Sequence, residues 1–172
     1  MSEPSFEVAF AAVFADRSAP LYRYLSGLSG DPALAQDIVQ ECFVKLYQRG
    51  RMPDDPRAWL VTVANNLWRD DRRRESRRAR LLLHKSGELS APDEPASADA
   101  GTLAAERIAA VRQALAKLPE RDRQLLLLRH EGFAYREIAA ALNVAPGGIG
   151  TMLARASAAF REVYRELDGP SD

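Results

Sequence analysis

With one cysteine in 172 residues, Cys42, this chain cannot form an internal disulfide, and its fold does not depend on oxidation. Charge of either sign is not in excess: 24 Lys and Arg balance 24 Asp and Glu, so the total charge makes no case for nucleic acid. Long apolar runs are missing too. None approaches the roughly 18 to 20 residues needed to cross a bilayer, so no membrane insertion is expected. The first ten residues, MSEPSFEVAF, carry acids where a secretory signal would carry bases, which makes the cytoplasm the expected location. Catalytic motifs are equally scarce. The two histidines, His84 and His130, have no paired cysteines and no HExxH arrangement, and nothing points to a Ser-His-Asp triad. There is no GxxxxGK[ST] loop, and GGIG at 147–150 is too short and wrongly placed for a nucleotide fingerprint. Neither an enzyme nor a bound cofactor or metal is expected.

What is present is helical pattern. No segment alternates apolar and polar residues for long, which argues against strands. Glu7–Phe14 and Ala19–Leu28 read as two short helices. Asp31-Pro32 and Asp55-Pro56 each combine an N-cap with proline at the first helical position. They open one helix to about Gln48 and another that runs through Trp59 and Leu67 into an arginine-rich stretch. Residues 84–103 hold one Lys against four Asp and Glu, are rich in Ser, Ala and Pro, and lack a 3.6-residue apolar repeat. Beyond them, Leu103–Leu118 and a segment from Pro119 to about Glu131 read as helices. The expected architecture is all-α: two small helical domains, 1–83 and 104–172, joined by a flexible acidic linker, 84–103.

Three stretches carry functional signal. In the helix 31–48, Asp37, Gln40 and Glu41 gather within one turn opposite a wide apolar side. Periodicity leaves two readings, a solvated face or an acidic docking patch. In the next helix Asn65, Asn66 and two tryptophans, Trp59 and Trp68, precede seven arginines in twelve positions, Arg69 to Arg80. Arginines neutralise phosphates, asparagine reads base edges, and aromatics stack on unpaired bases, a set that suits partly separated DNA strands. The bland reading is a solvated helix end with Trp59 in the core.

The third stretch, Tyr135 to Phe160, reads as helix, tight turn, helix. Ala139 is small where two helices would touch. Asn143 tolerates the left-handed backbone of the turn, and Ile149 pins the second helix. That second helix, from Pro146 on, is short of donors. Thr151 and Arg155 are the ordinary ones near its exposed face, and Arg136 on the first helix is placed to meet a phosphate. The motif fits a DNA-reading unit or a helical hairpin for protein contact.

Taken together these stretches resemble the extracytoplasmic-function (ECF) sigma factors of bacterial RNA polymerase. DPALAQDIVQECFVKLYQ resembles the family's core-binding segment, with Asp37, Gln40, Glu41 and Phe43 at matching positions. PRAWLVTVANNLWRDDRRR is similar to the segment that opens and reads the minus-ten element, matching at Trp59, Leu60, Ala64 and Asn66. LPERDRQLLLLRHEGFAYREIAAALNV resembles the start of the minus-thirty-five-binding domain.

The resemblance implies a subunit that docks on core RNA polymerase through Asp37, Gln40 and Glu41. It implies minus-ten contacts from Asn65, Asn66, Arg69, Arg72 and Arg73, with the loop Arg49–Asp55 beside Asn66 in base capture. Minus-thirty-five contacts are expected from Arg136, Thr151 and Arg155. The partners implied are core RNA polymerase, promoter DNA and an anti-sigma factor, and the acidic linker is expected to thread toward the polymerase cleft. The chain departs from the family at Gly150, Ala154 and Ser157, small residues where lysine or arginine is common. That departure implies weak base-edge readout upstream and reliance on backbone and shape. Two other readings compete: a stand-alone helix-turn-helix repressor, which leaves the first domain without a role, and a polymerase-binding or sequestering protein that has lost promoter recognition.

Overall fold

The computed structural model describes residues 5–85 and 103–168, and those residues form seven α-helices and one 3₁₀ turn. The first group is α1 (Phe6–Ser29), α2 (Pro32–Arg49) and α3 (Pro56–Lys85). The second is α4 (Leu103–Lys117), α5 (Glu120–His130), α6 (Tyr135–Leu142) and α7 (Ile149–Asp168), with the 3₁₀ turn over Pro146–Gly148 leading into α7. Most of the expected linker falls outside the described residues, and with it the expectation about its path.

The helix boundaries follow from local chemistry. Asp31 Oδ1 accepts from the Ala33 and Leu34 N–H groups at 2.9 and 3.1 Å, and Asp55 Oδ1 accepts from Ala58 N–H at 3.1 Å. Both aspartates satisfy donors that the first turn of a helix leaves unpaired. Gly30 and Gly50 end α1 and α2 at φ of 71° and 69°, a backbone that L side chains rarely adopt.

One expectation is corrected. The segments read as two short helices are a single 24-residue helix, α1, with Pro20 inside it. Proline removes one backbone bond and crowds the carbonyl four residues back. Here Arg17, Leu21, Tyr24, Leu25 and Leu28 are all buried along one side of α1, and that burial holds the helix together across the proline.

The two helix groups pack against each other. Leu21, Tyr24, Leu60, Val61, Ala64 and Trp68 of the first belong to the same buried cluster as Leu125, Leu128, Phe133, Ile138, Ala141 and Leu142 of the second. The most extensive contact between the two groups is that of α3 with α6, and α5 also packs against α1. Leu127 of α5 lies over Gly27 of α1 so closely that a Cβ there would stand 2.9 Å from Leu127 Cδ2. A smaller apolar contact joins α4 to α7 around Ala114 and Ala156. Among the described residues, no helix is long and apolar enough to cross a membrane.

Candidate nucleic-acid interface

On α2 the apolar repeat buries Ala35, Ile38, Cys42 and Leu46. The opposite face therefore exposes Asp37, Gln40 and Glu41, as the spacing requires. Glu41 forms a 3.4 Å ion pair with Lys45, both largely in solvent, a contact worth little to stability. The same face continues through Val44, 45% exposed, and reaches Tyr47, 60% exposed. The sequence pattern puts Tyr47 on the apolar side of the helix. Tyr47 packs its ring edge on Phe10, 5.6 Å between centroids, within a run of aromatic contacts that includes Phe14 and Phe43. The acidic patch thus has an apolar border.

On α3 the buried positions are Leu60, Val61, Ala64, Asn65 and Trp68. Asn66 is turned out to solvent one position later. Asn66, Arg69, Arg73, Arg77 and Arg80 follow at steps of three and four, so they share one face. Arg69 is half-buried and the later arginines are exposed. Arg72 stacks over the Trp68 ring at 5.5 Å, and Arg73 pairs loosely with Asp70 at 3.5 Å. Trp59 is half-buried against the core, in keeping with the bland reading of that residue.

Asn65 does not share the placement of its neighbour. Expected among the DNA contacts, it is fully buried, and both ends of its amide are occupied by protein. Its Oδ1 accepts from the Tyr24 hydroxyl at 2.6 Å, and its Nδ2 donates to the Ala141 carbonyl of α6 at 3.0 Å. In this arrangement it is withdrawn from DNA. The signal was in the sequence: Val61, Ala64 and Trp68 form an apolar stripe, and position 65 lies on it.

The turn between α6 and α7 has the expected geometry. Asn143 is left-handed, with φ 54° and ψ 51°, and Ala139 and Ile149 are buried. Glu137, itself buried, reaches back to accept from Ala134 N–H at 2.8 Å and closes the start of α6. Thr151 and Arg155 are exposed one turn apart on α7, with Ala154 beside them. Arg136 is exposed but not free, since its Nε lies 3.3 Å from Asp55 Oδ2 of the first group. Tyr135 was not singled out in the sequence. It is 46% exposed beside Gly150, and Arg129 lies over its ring at 5.6 Å. From the start of α6 it sets a hydroxyl and a nearby cation beside α7, which is poor in donors.

Elsewhere Asp16 binds both Arg17 and Arg57, at 2.8 and 3.0 Å. The Arg17 hydrogen bond leads in holding its carboxyl below the ordinary aspartate range. Among the described residues no group of three or more His, Cys, Asp or Glu side chains gathers where it could hold a metal ion.

Comparison with known proteins places this geometry. Residues 14–78 match the sigma-70 region 2 family and residues 108–160 the sigma-70 region 4 family. The ECF RNA polymerase sigma factor SigL of Mycobacterium tuberculosis is 32% identical over 91% of this chain and 89% of its own. The RNA polymerase sigma-E factor of Streptomyces coelicolor is 35% identical over 88% and 85%. Among solved structures, the sigma factor RpoE of Bartonella quintana, in complex with the anti-sigma factor NepR, has a TM-score of 0.69 at 24% identity. The match covers 90% of this chain and 96% of that one, a likeness of fold.

Proposed function

We infer the division of labour among these helices from one premise: the chain belongs to the ECF group of bacterial RNA polymerase sigma factors. It binds core RNA polymerase and directs promoter-specific transcription initiation. Region 2 recognises the minus-ten element, and region 4 is the second DNA-binding unit. The protein supplies specificity and leaves the chemistry to the polymerase, which puts its work in the cytoplasm.

Within that frame the first domain, 1–83, docks on core polymerase through Asp37, Gln40 and Glu41, with Val44 and Tyr47 as the apolar border of the contact. Exposed charges of one sign steer a basic partner and fix its orientation, while apolar neighbours supply the area removed from water. Asn66 captures an unpaired base beside the loop Arg49–Asp55. Arg69, Arg72 and Arg73 hold the backbone of the opened strand. The second domain, 104–172, grips the upstream duplex through Arg136, Thr151 and Arg155, with Tyr135 alongside. The observation that carries the reading is the face of α3: one exposed asparagine followed by arginines at helical spacing, on the segment that the region 2 family covers.

RpoE of B. quintana was solved with an anti-sigma factor bound, and a protein partner of that class is proposed for this chain too. Mixing the chain with sigma-free core polymerase and a library of promoter fragments tests the reading. Specific run-off transcripts are expected. Absence of binding to core polymerase would falsify it, and binding without initiation would favour a sequestering protein.

A further inference from the structure

We propose that Arg129, carried on the ring of Tyr135, holds a phosphate of the upstream duplex, with Tyr135 as its positioning residue. This role rests on the sigma-factor reading, and it falls on a residue outside both helices of the helix-turn-helix.

The pair is assembled by the way α5 ends. Phe133 N–H donates to the Leu128 carbonyl at 3.1 Å, and Gly132 N–H donates to the Arg129 carbonyl at 3.1 Å. These two nested bonds, with Gly132 at φ 80°, close the helix and send Phe133 into the core. The backbone of Arg129 is thereby fixed, and the chain returns to place Tyr135 beside it. The Arg129 guanidinium carbon lies 5.6 Å from the centre of the Tyr135 ring, and both side chains are exposed.

Arg129 is charged and uncommitted. It enters none of the ion pairs among the described residues. The acid nearest to it in sequence, Glu131, is turned to Arg23 at 2.8 Å. An aromatic face attracts a guanidinium but leaves the N–H groups at its edge without acceptors. Stacking therefore orients the planar fork and keeps it open to an anion, and that fork matches two phosphate oxygens at once.

The placement selects the anion. A Cβ at Gly150 would stand 3.7 Å from Tyr135 Cε2, so the tyrosine spans from Arg129 to the first turn of α7. In a helix-turn-helix the first helix crosses the DNA backbone and the start of the second enters the major groove. Tyr135 opens the first helix and touches the start of the second. A cation stacked on its ring thus faces the phosphates that border the groove. The contact matters here because α7 presents Gly150 and Ala154 beside Thr151 and Arg155, leaving few side-chain donors of its own.

The test is the salt dependence of duplex binding by the full-length chain, read by anisotropy of labelled double-stranded fragments from a promoter library and of unrelated duplexes. Arg129→Ala should weaken binding about fivefold to tenfold on every duplex and flatten the slope of log K against log salt by about 0.9. Arg129→Lys keeps the charge and should keep the slope. Tyr135→Ala should keep the slope and lose about twofold to threefold in affinity, because the guanidinium is no longer held in place. Tyr135→Phe keeps the stack and should match the parent. Tyr135→Ala added to Arg129→Ala should cost nothing further, since the tyrosine acts through the arginine.

An unchanged slope in Arg129→Ala, or a parent chain that binds no duplex, overturns the phosphate contact. A loss confined to duplexes with guanine at one position would make Arg129 a base reader and overturn it too. Equal losses in Tyr135→Phe and Tyr135→Ala would assign the contact to the hydroxyl and remove the positioning role. Run-off transcription with core polymerase is scored separately: its failure counts against the sigma-factor reading, while the slopes still judge Arg129.

Discussion

Asn65 and Asn66 leave α3 about 100° apart, and the step divides their surroundings completely. Asn65 is enclosed between Tyr24 and Ala141, while Asn66 faces solvent at the head of the arginine stripe. Two residues of one chemistry are thereby placed differently, one inside the protein and one in solvent, where base capture is proposed for it. Their substitutions should separate cleanly.

Asn66→Ala is expected to impair promoter opening with little effect on the folded state. The side chain is exposed and, among the described residues, has no hydrogen-bond partner that its loss would orphan, so stability should change by less than about 0.5 kcal/mol. With core polymerase and promoter, permanganate reactivity of the melted thymines should fall about fivefold to tenfold, the scale of one or two lost hydrogen bonds to a base. Duplex affinity should stay within about twofold. Reactivity equal to that of the parent chain would remove Asn66 from base capture.

The docking face can be tested by reversing its charge. Asp37→Arg combined with Glu41→Arg puts bases where a basic partner surface is expected, and both positions are exposed, so the fold should tolerate the change. Affinity for core polymerase should drop about tenfold or more, mainly through slower association. Tyr47→Ala should act differently: it removes apolar contact and should speed dissociation. Fluorescence anisotropy of the labelled chain against core enzyme reads both rates. Affinity unchanged by the double reversal would leave this face as solvated surface.

Salt dependence tests the arginine stripe. Each arginine that neutralises a phosphate steepens the fall of log K with log salt by about 0.9 on duplex and about 0.7 on single strands. Replacing Arg73 and Arg77 by alanine should therefore flatten the slope for a single-stranded minus-ten fragment by about 1.4. Because Arg73 already pairs loosely with Asp70, its share should be the smaller of the two. An unchanged slope would mean that the stripe is solvated and does not lie along the backbone.

These tests turn on residues that were unevenly legible before folding. Local rules served well wherever the cause was local. Asp31 and Asp55 cap helices because an aspartate followed by proline suits the first turn whatever surrounds it. Asn143 takes the left-handed turn for the same kind of reason. The segments read as two short helices are one because five buried side chains on α1 outweigh the local penalty of Pro20 inside it. The seam between the domains was not legible at all. Arg23 and Glu131 are 108 residues apart, and Asn65 and Ala141 are 76 apart, so no periodicity links them. The site residues divided along the same line: exposure of Asp37, Glu41 and Asn66 followed from helix phase, while the partners of Asn65 and Arg136 came only with tertiary structure.

Cys42 offers a probe of the first domain from within. It is buried, and that burial, with Glu41 close by, pushes its thiol from about 9 up to about 12. At pH 8 only about one thiol in ten thousand is then ionised, and the thiolate is the reactive form. A disulfide reagent at pH 8 should modify the native chain only as fast as the first domain opens, while Ala11→Cys should react at the rate of a free thiol. The sign of the pH effect follows from proton counting. Between pH 9 and 12 the folded thiol keeps a proton that the unfolded one gives up, so stability falls as pH rises through that window. Tyr24, whose hydroxyl is also pushed upward by burial, acts in the same direction. The urea midpoint should therefore move down from pH 8 to pH 10, by less in Cys42→Ala and by less again when Tyr24→Phe is added. A midpoint that holds constant over this range would mean that neither group is sheltered as the structure places it.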